Sequence, residues 1–370
     1  MTSIPSPTTS PTTSPTTRVV IGGVDTHGQT HHAAVIDQVG RQLGDREFPA
    51  SPAGYRALAK WLRAFGTVTR IGVEGTGTYG AGLARYLCSL EVTVVEVDRP
   101  DRKSRRAHGK SDPLDAYAAA RAVLSGSAAG VPKLRDGRVE AIRALRVARS
   151  SAVKARSQAT NQIKSMIISG PPELREQLRH LPTAKIIASC ARLRPGDELG
   201  DPAQATKTAL RRLARRHQQL SEEISEADRD IAQLVGEAAP DLLALRGVGP
   251  EVAGQLLTSA GDNPDRITSE AAFAHLCGAA PVPASSGRTH RHRLNRGGDR
   301  HANNALYIVV LNRLRYDPRS RAYAERRTRE GLSKPEIIRC LKRYIAREIY
   351  HVLVTAPATE TGPALPLDGA

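Results

Sequence analysis

Acidic residues stand at the ends of separate apolar segments in the first third of the chain, and this placement constrains the fold more than any other feature of the sequence. Asp25 ends the run Val19-Val20-Ile21-Gly22-Gly23-Val24, Glu74 ends the segment from Thr69, and Asp112 and Asp115 bracket Pro113-Leu114 at the start of a helical stretch. An unpaired carboxylate is a poor core group, because buried charge must be neutralised, paired or bound to a cation. The position of these four acids therefore says more than their number.

The intervening pattern orders the elements. Segments His32 to Ile36 and Gln42 to Phe48 follow the first run with Gln38-Val39-Gly40 between them, which predicts a three-strand antiparallel meander. Ser51 caps a predicted helix with Tyr55, Leu58, Ala59, Leu62 and Phe65 at helical spacing. A strand over Thr69 to Glu74, a helix over Gly80 to Ser89, a strand over Val92 to Val97 and a helix over Pro113 to Leu124 complete a βββαβαβα order. That order resembles the RNase H and RuvC-like domains, in which the four carboxylates would share one pocket holding divalent metal for phosphodiester chemistry.

Each acid also has a plainer reading. Asp112-Pro113-Leu114-Asp115 is a good capped helix start by itself, Asp25 an ordinary turn residue and Glu74 a surface group. The same spacing places Asp112 and Asp115 on one helix face, about 5 to 6 Å apart, which suits metal binding once Asp25 and Glu74 are near. Gly75-Thr76-Gly77-Thr78-Tyr79-Gly80 matches the dinucleotide-binding glycine pattern, with Glu96 downstream. Here, however, it follows a fourth strand, and Glu74 would set negative charge beside a pyrophosphate. The glycines read more simply as a tight backbone turn near a metal or a strand of nucleic acid.

Charge points to the substrate. The 370 residues carry 54 Lys+Arg against 37 Asp+Glu, a formal net charge of +17, and all but ten of the bases are arginine, whose fork matches phosphate. Between Ser286 and Glu330 there are twelve arginines and four acids, and Arg288, Arg291, Arg293 and Arg296 are taken as phosphate contacts. A second basic run, with Arg102, Lys103, Arg105, Arg106 and Lys110, leads into the Asp112 helix. The alternative is a solvated basic face without a partner.

Cys88, Cys190, Cys277 and Cys340 form no C-x-x-C pair, so neither a zinc site nor a disulfide framework is expected and a reducing cytoplasm, on the nucleoid, fits. His290-x-His292 reads as phosphate contact or surface rather than metal ligand. No stretch approaches 18 apolar residues, the figure for a membrane helix. Residues 1–17 and 355–370 read as disordered tails, and the Thr/Ser/Pro repeats of the first are not a signal peptide.

The middle of the chain is helical. Leu210, Leu213, His217, Leu220, Ile224, Ala227, Ile231 and Leu234 recur at steps of three and four, a coiled-coil seam. Its partner is either a second copy of the chain, the reading favoured here, or the preceding helix around Ile142 to Ile168. Gly247-Val248-Gly249 between two apolar segments predicts a helix-hairpin-helix, with Gly247 and Gly249 offering backbone N–H groups to phosphate; a non-binding turn is the alternative. Ser285-Ser286-Gly287 follows as a flexible turn, which on spacing alone is structural.

Together, Val24-Asp25-Thr26, Val73-Glu74-Gly75-Thr76-Gly77-Thr78-Tyr79, Lys110-Ser111-Asp112-Pro113-Leu114-Asp115-Ala116, Gly247-Val248-Gly249 and Ser285-Ser286-Gly287 resemble the DEDD transposases of bacterial insertion sequences, recombinases guided by a bridge RNA. The likeness runs from about residue 18 to about 353. It implies a RuvC-like (RNase H fold) catalytic domain over 18–130 in which Asp25, Glu74, Asp112 and Asp115 hold Mg2+. It further implies a helical coiled-coil region over 138–236 and a mostly helical C-terminal transposase domain over 237–354, so the fold class is α/β plus α. The serine nucleophile would be Ser286, with Ser285 as the fallback. Donor and target DNA, a guide RNA and a homo-oligomer, dimer or tetramer, are the implied partners, with composite sites shared between subunits. The chain departs from the family pattern at His27-Gly28, where many members carry lysine, at Asn295-Arg296-Gly297-Gly298, and at Ala302-Asn303. A metal-dependent junction nuclease using water, and a non-catalytic nucleic-acid-binding protein, are the two competing classes.

Overall fold

The computed structural model describes residues 18–97, 111–287 and 292–355. The tails, the basic run from Arg102 to Lys110, and Arg288 and Arg291 lie outside the described residues. The chain divides into two compact units between Arg135 and Asp136.

The first unit carries β1 (Val19–Thr26), β2 (Thr30–Asp37), β3 (Gln42–Pro49), α1 (Pro52–Arg63), β4 (Thr67–Glu74), α2 (Ala81–Ser89), β5 (Thr93–Val97) and α3 (Asp112–Leu124). The sheet order is β3-β2-β1-β4-β5. β1 pairs antiparallel with β2 and parallel with β4, and β4 pairs parallel with β5. The central strand is apolar almost throughout because both of its faces are covered. On one face Val20, Val24, Ile71 and Val73 pack with Leu58 and Leu62 of α1 and Leu83 and Leu87 of α2. On the other, Ile21, Ile36, Val95 and Val97 meet Ala116, Ala119, Ala120 and Val123 of α3. Ser51 caps α1, its Oγ accepting from the Gly54 N–H at 3.2 Å.

The second unit is mostly helical. It contains α4 (Arg138–Ser169), α5 (Pro172–Leu178), α6 (Thr183–Ala191), α7 (Pro202–Ala238), α8 (Pro240–Ala244), α9 (Pro250–Ala260), α10 (Glu270–Leu276), a two-stranded ribbon β6 (Val282–Pro283) and β7 (His292–Arg293), α11 (Arg300–Tyr316), α12 (Pro318–Arg329) and α13 (Lys334–Thr355).

Within the chain, α4 and α7 pack as an antiparallel pair. Ile142 near the start of α4 shares a core with Ile231 and Val235 near the end of α7, whereas Ile163 and Ile167 share another with Leu210 and Ala214. Arg149 and Asp228 pair between these ends at 2.5 Å. The apolar seam is thus filled by the preceding helix, which corrects the expectation of a partner from a second subunit. The fully buried line runs through Leu210, Ala214, Ile224, Ile231 and Val235, wider than the Leu213 and Leu234 series. His217 lies half-buried at its edge, its pKa pushed down by burial and by Arg156.

The core containing Ile142, Ile231 and Val235 continues into Leu242, Leu256, Phe273, Leu306, Val310 and Ile345. Residues 138–236 and 237–354 therefore share one hydrophobic core at this end. Arg146 of α4 strengthens the junction by donating to Gln255 at 2.9 Å and Glu251 at 2.7 Å on α9. Among the described residues, no helix is long and apolar enough to cross a membrane.

Candidate active site

Two glycines set the site. Gly23 of β1 and Gly72 of β4 lie side by side in the parallel register. A Cβ on Gly23 would come 2.1 Å from the Ala116 carbonyl oxygen, and one on Gly72 would come 2.8 Å from the Ala119 carbonyl oxygen. Both glycines therefore face α3 and let its backbone rest on the sheet. Side chains alternate along a strand, so Asp25 and Glu74, two residues further on, turn to the same face. Asp25 emerges beside the first turn of α3, which carries Asp112 and Asp115. Asp25, Glu74 and Asp115 are buried, and Asp112 is half-exposed.

His27 stands between Asp25 and Asp112. Its Nε2 stands 3.2 Å from Asp25 Oδ2 and 3.3 Å from Asp112 Oδ1. Neither contact has hydrogen-bond alignment, so the buried Nε2 is at ion-pair distance from both acids without a formed hydrogen bond. One ligand atom from each of Asp25, His27 and Asp112 lies within 4.8 Å of the others. Burial raises the Asp25 pKa; His27 opposes that shift, Asp115 and Asp112 add to it, and the Thr26 backbone N–H opposes it. Burial is the larger cause, with the two neighbouring carboxylates adding to it.

The cap alternative for Asp112 is not the conformation adopted. Ser111 occupies the N-cap position, no side chain caps the helix end, and Asp112 is the first helical residue with its carboxylate toward His27. Thr26 Oγ1 donates to the Glu74 carbonyl at 2.8 Å, tying the ends of β1 and β4 together. The glycine-rich segment is a tight turn: Gly75 has φ +68°, and both Thr78 and Gly80 donate their N–H groups to its carbonyl. Glu96, the acid that completed the dinucleotide pattern, accepts from Thr76 Oγ1 at 2.6 Å. It braces that turn.

The remaining sequence candidates belong to the second unit. Ser285 and Ser286 are exposed in the connection between β6 and β7, and Gly287 has φ +55°. Arg293 and Arg296 are exposed. Gly247 has φ +84° in the turn between the five-residue α8 and α9, and Gly249 is the N-cap of α9. Asn303, at one of the departures from the family pattern, donates to the carbonyls of Cys277 and Gly278, both at 2.9 Å, and accepts from Lys342 Nζ at 2.8 Å. The thiols of Cys190 and Cys277 are buried, with burial raising their pKa to about 11 and about 12, so they are poor nucleophiles.

A mixed sheet at whose end ligand atoms of Asp25, His27 and Asp112 lie within 4.8 Å of one another, followed by a mostly helical unit, defines a protein equipped with an acidic candidate metal site. The family comparisons agree with that class. A DEDD family model described as transposase matches residues 22–169, and a model of the transposase IS116/IS110/IS902 family matches residues 239–325. The chain belongs to the DEDD transposases of bacterial insertion sequences. It is 26% identical over 390 residues to the mini-circle candidate transposase for IS117 of Streptomyces coelicolor, covering 91% of this chain and 94% of that protein. Similarity to an uncharacterized 42 kDa protein of insertion element IS900 from Mycobacterium paratuberculosis is 30% over 168 residues, 44% of this chain and 42% of that protein.

Proposed function

We propose that the protein cuts and rejoins DNA by Mg2+-dependent phosphoryl transfer, with Asp25, Glu74, Asp112 and Asp115 as the metal-holding carboxylates and Ser286 as the nucleophile. The observation that carries this is the approach of Asp25 and Asp112 to one point, marked by His27 Nε2 at 3.2 and 3.3 Å. Asp115 also acts on Asp25. The strand order, with antiparallel β1–β2–β3 and parallel β1–β4–β5, supports the RuvC-like reading of this unit.

The donor set fits a hard cation. Carboxylate oxygens are the ligands Mg2+ prefers, and the raised Asp25 pKa reflects a pocket in which added positive charge would be favourable. When bound, such an ion supplies charge that polarises a scissile phosphate. The chain's own groups do the rest. Ser286 Oγ attacks phosphorus and gives up its proton as the bond to the departing strand oxygen breaks and that oxygen takes a proton. Attack by the hydroxyl of a second strand then restores the serine and joins the strands, so bond energy is kept in the phosphoserine link. Exposed Arg293 and Arg296, with Arg288 and Arg291, would offset charge on the phosphoryl oxygens. Ser286 and the carboxylates belong to separate units, so strand transfer requires the two to meet, within one chain or between subunits of a homo-oligomer.

Family membership and the basic charge also support a guide RNA as partner. RNA that co-purifies with the protein and matches sequence flanking its gene would be the expected result. The nucleophile is tested by trapping: wild type with Mg2+ forms a covalent protein–DNA adduct, and Ser286→Ala forms none. An adduct in Ser286→Ala would transfer the role to another residue, with Ser285 the first to examine. Hydrolysis without any adduct would favour a junction nuclease.

A further inference from the structure

Between α13, the end of α12 and the base of the β6/β7 ribbon lies a cavity of about 490 Å³ that the transposase reading leaves without a role. Its wall carries Arg293, Arg327, Arg339, Lys342 and Arg343 against one acid, Glu336.

Much of that charge is not answered inside the cavity. Glu336 accepts from the Ser333 N–H and hydroxyl, and its second oxygen lies 3.8 Å from Arg339. Arg343 is held by Glu270 at 2.7 Å. Arg327 pairs with Glu330 through Nη1, but its Nε is buried without a hydrogen-bond partner. Lys342 is only 7% exposed, and its ammonium donates to the neutral amide oxygen of Asn303. Burial and the neighbouring Arg339 push its pKa down. A buried cation and an orphaned guanidinium N–H on residues lining one cavity are both costly, and an anionic oxygen would satisfy either.

The cavity also offers a flat aromatic surface. Tyr344 is packed edge-on against Tyr323, with ring centres 5.6 Å apart and planes at 85°, yet remains 52% exposed. Its orientation is therefore fixed while a surface stays open. A cationic wall together with an exposed aromatic ring is the combination that holds unpaired nucleotides. The volume falls in the range of about 300 to 1,000 Å³ typical of small-ligand sites, which suits one nucleotide and not a duplex.

We propose that this cavity takes a single unpaired nucleotide of a nucleic-acid strand, its base against Tyr344 and its phosphate between Lys342, Arg327 and Arg339. The proposal rests on the transposase reading and adds a subsite to it. Val282 pairs with Arg293 at the base of the ribbon whose connection carries Ser286. A nucleotide held at that base fixes the strand at a set distance from the serine hydroxyl.

Fluorescence anisotropy of the full chain tests this with labelled duplexes that contain no bulge, one bulged nucleotide, or an abasic residue at the bulge. DNA and RNA versions are run in parallel, and whichever binds tighter identifies the source of the nucleotide. The wild type is expected to prefer the bulged probe by about tenfold over the plain and abasic ones, the scale of one base stacked on an aromatic ring. Tyr344→Ala and Arg339→Ala, both at accessible positions, should each reduce that preference to about twofold or less, the arginine variant also weakening plain-duplex binding slightly through its lost charge, and Tyr344→Phe should restore the preference. Circular dichroism and thermal unfolding verify that the variants fold. The proposal is overturned if wild type shows no bulge preference or if both alanine variants keep it. It is equally overturned if orthophosphate, at matched ionic strength, displaces the bulged probe as well as a mononucleotide does. Adduct formation at Ser286 is scored separately, so failure of the nucleophile assignment and failure of the nucleotide site give different results.

Discussion

Gly23 lies so close to Ala116 that a Cβ on the glycine would stand 2.1 Å from the Ala116 carbonyl oxygen. This contact joins the central strand to the helix bearing Asp112 and Asp115. Gly23→Ala must push α3 off the sheet or distort β1, and a cost of about 3 kcal/mol, the upper part of the usual overpacking range, is expected in urea unfolding. Divalent-cation affinity should fall as well, because Asp112 and Asp115 move with the helix. Gly249→Ala is the control: nothing lies within 4 Å of a Cβ there, and its unfolding midpoint should stay near that of wild type. If Gly23→Ala matches the wild-type midpoint, the helix is not seated on these glycines.

Metal binding should be visible as stability without any measurement of catalysis. A cation that binds only the folded chain stabilises it by about 2.7 kcal/mol at one hundred times its Kd, so Mg2+ should raise the thermal midpoint of wild type and EDTA should reverse the rise. Asp25→Asn removes one carboxylate from a cluster in which burial and the two α3 acids already disfavour its charge. Without metal this variant should be at least as stable as wild type, and with Mg2+ its midpoint should not move. An equal Mg2+ shift in both proteins would remove Asp25 from the ligand set.

The order of elements in the first unit was legible because β1, β2, β4 and β5 each contain apolar residues next to turn residues, whereas the largely exposed β3 was placed by the turns on either side of it. The strand expected over Thr69 to Glu74 begins at Thr67, and that expected from Val92 begins at Thr93. The acids could be named for the same reason, since Asp25 and Glu74 end strands. His27 could not. Its ring reaches Asp112 only because the β1–β2 turn, closed by the His27 N–H on the Thr30 carbonyl, sets it beside a helix some 85 residues later in sequence. The role of Asp112 was equally ambiguous, since a cap and a ligand both place aspartate at a helix start. The α7 seam showed that a partner was needed, but periodicity on one helix carries no information about whose helix fills it.

Asn303 is a second point where a single side chain holds several segments. It donates to two backbone carbonyls after α10 and accepts from Lys342 on α13. Asn303→Ala would leave an ammonium and two carbonyls unanswered at one place, and about 3 kcal/mol of lost stability is expected from the usual cost of unsatisfied buried polar groups. Asn303→Asp should be milder, because its carboxylate still accepts from Lys342 and adds an opposite charge. Urea unfolding of the two variants separates these effects. Equal losses would show that the carbonyl contacts, not the Lys342 contact, matter.

Asp262 gives a prediction whose sign depends on pH. Its Oδ1 accepts from the Val139 N–H at 2.9 Å, capping α4 from a distant part of the chain. Burial raises its pKa; the Val139 backbone contact opposes that, and Asp136 and Glu140 add to the rise. A carboxyl whose folded pKa exceeds its unfolded value, 3.8, leaves the native state holding more protons than the unfolded chain across the interval between the two. Its contribution to stability is therefore fully present below the unfolded value and lost as pH rises through the folded one. Asp262→Asn keeps an acceptor for the Val139 N–H and never ionises. It should be more stable than wild type at about pH 7 and lose that advantage by about pH 3.5, where the wild-type carboxyl is protonated too. Urea unfolding at both values measures the difference directly, and because other titrating groups are common to the two proteins their contributions cancel. A difference that is the same at both pH values would show that the Asp262 charge carries no penalty in the folded chain.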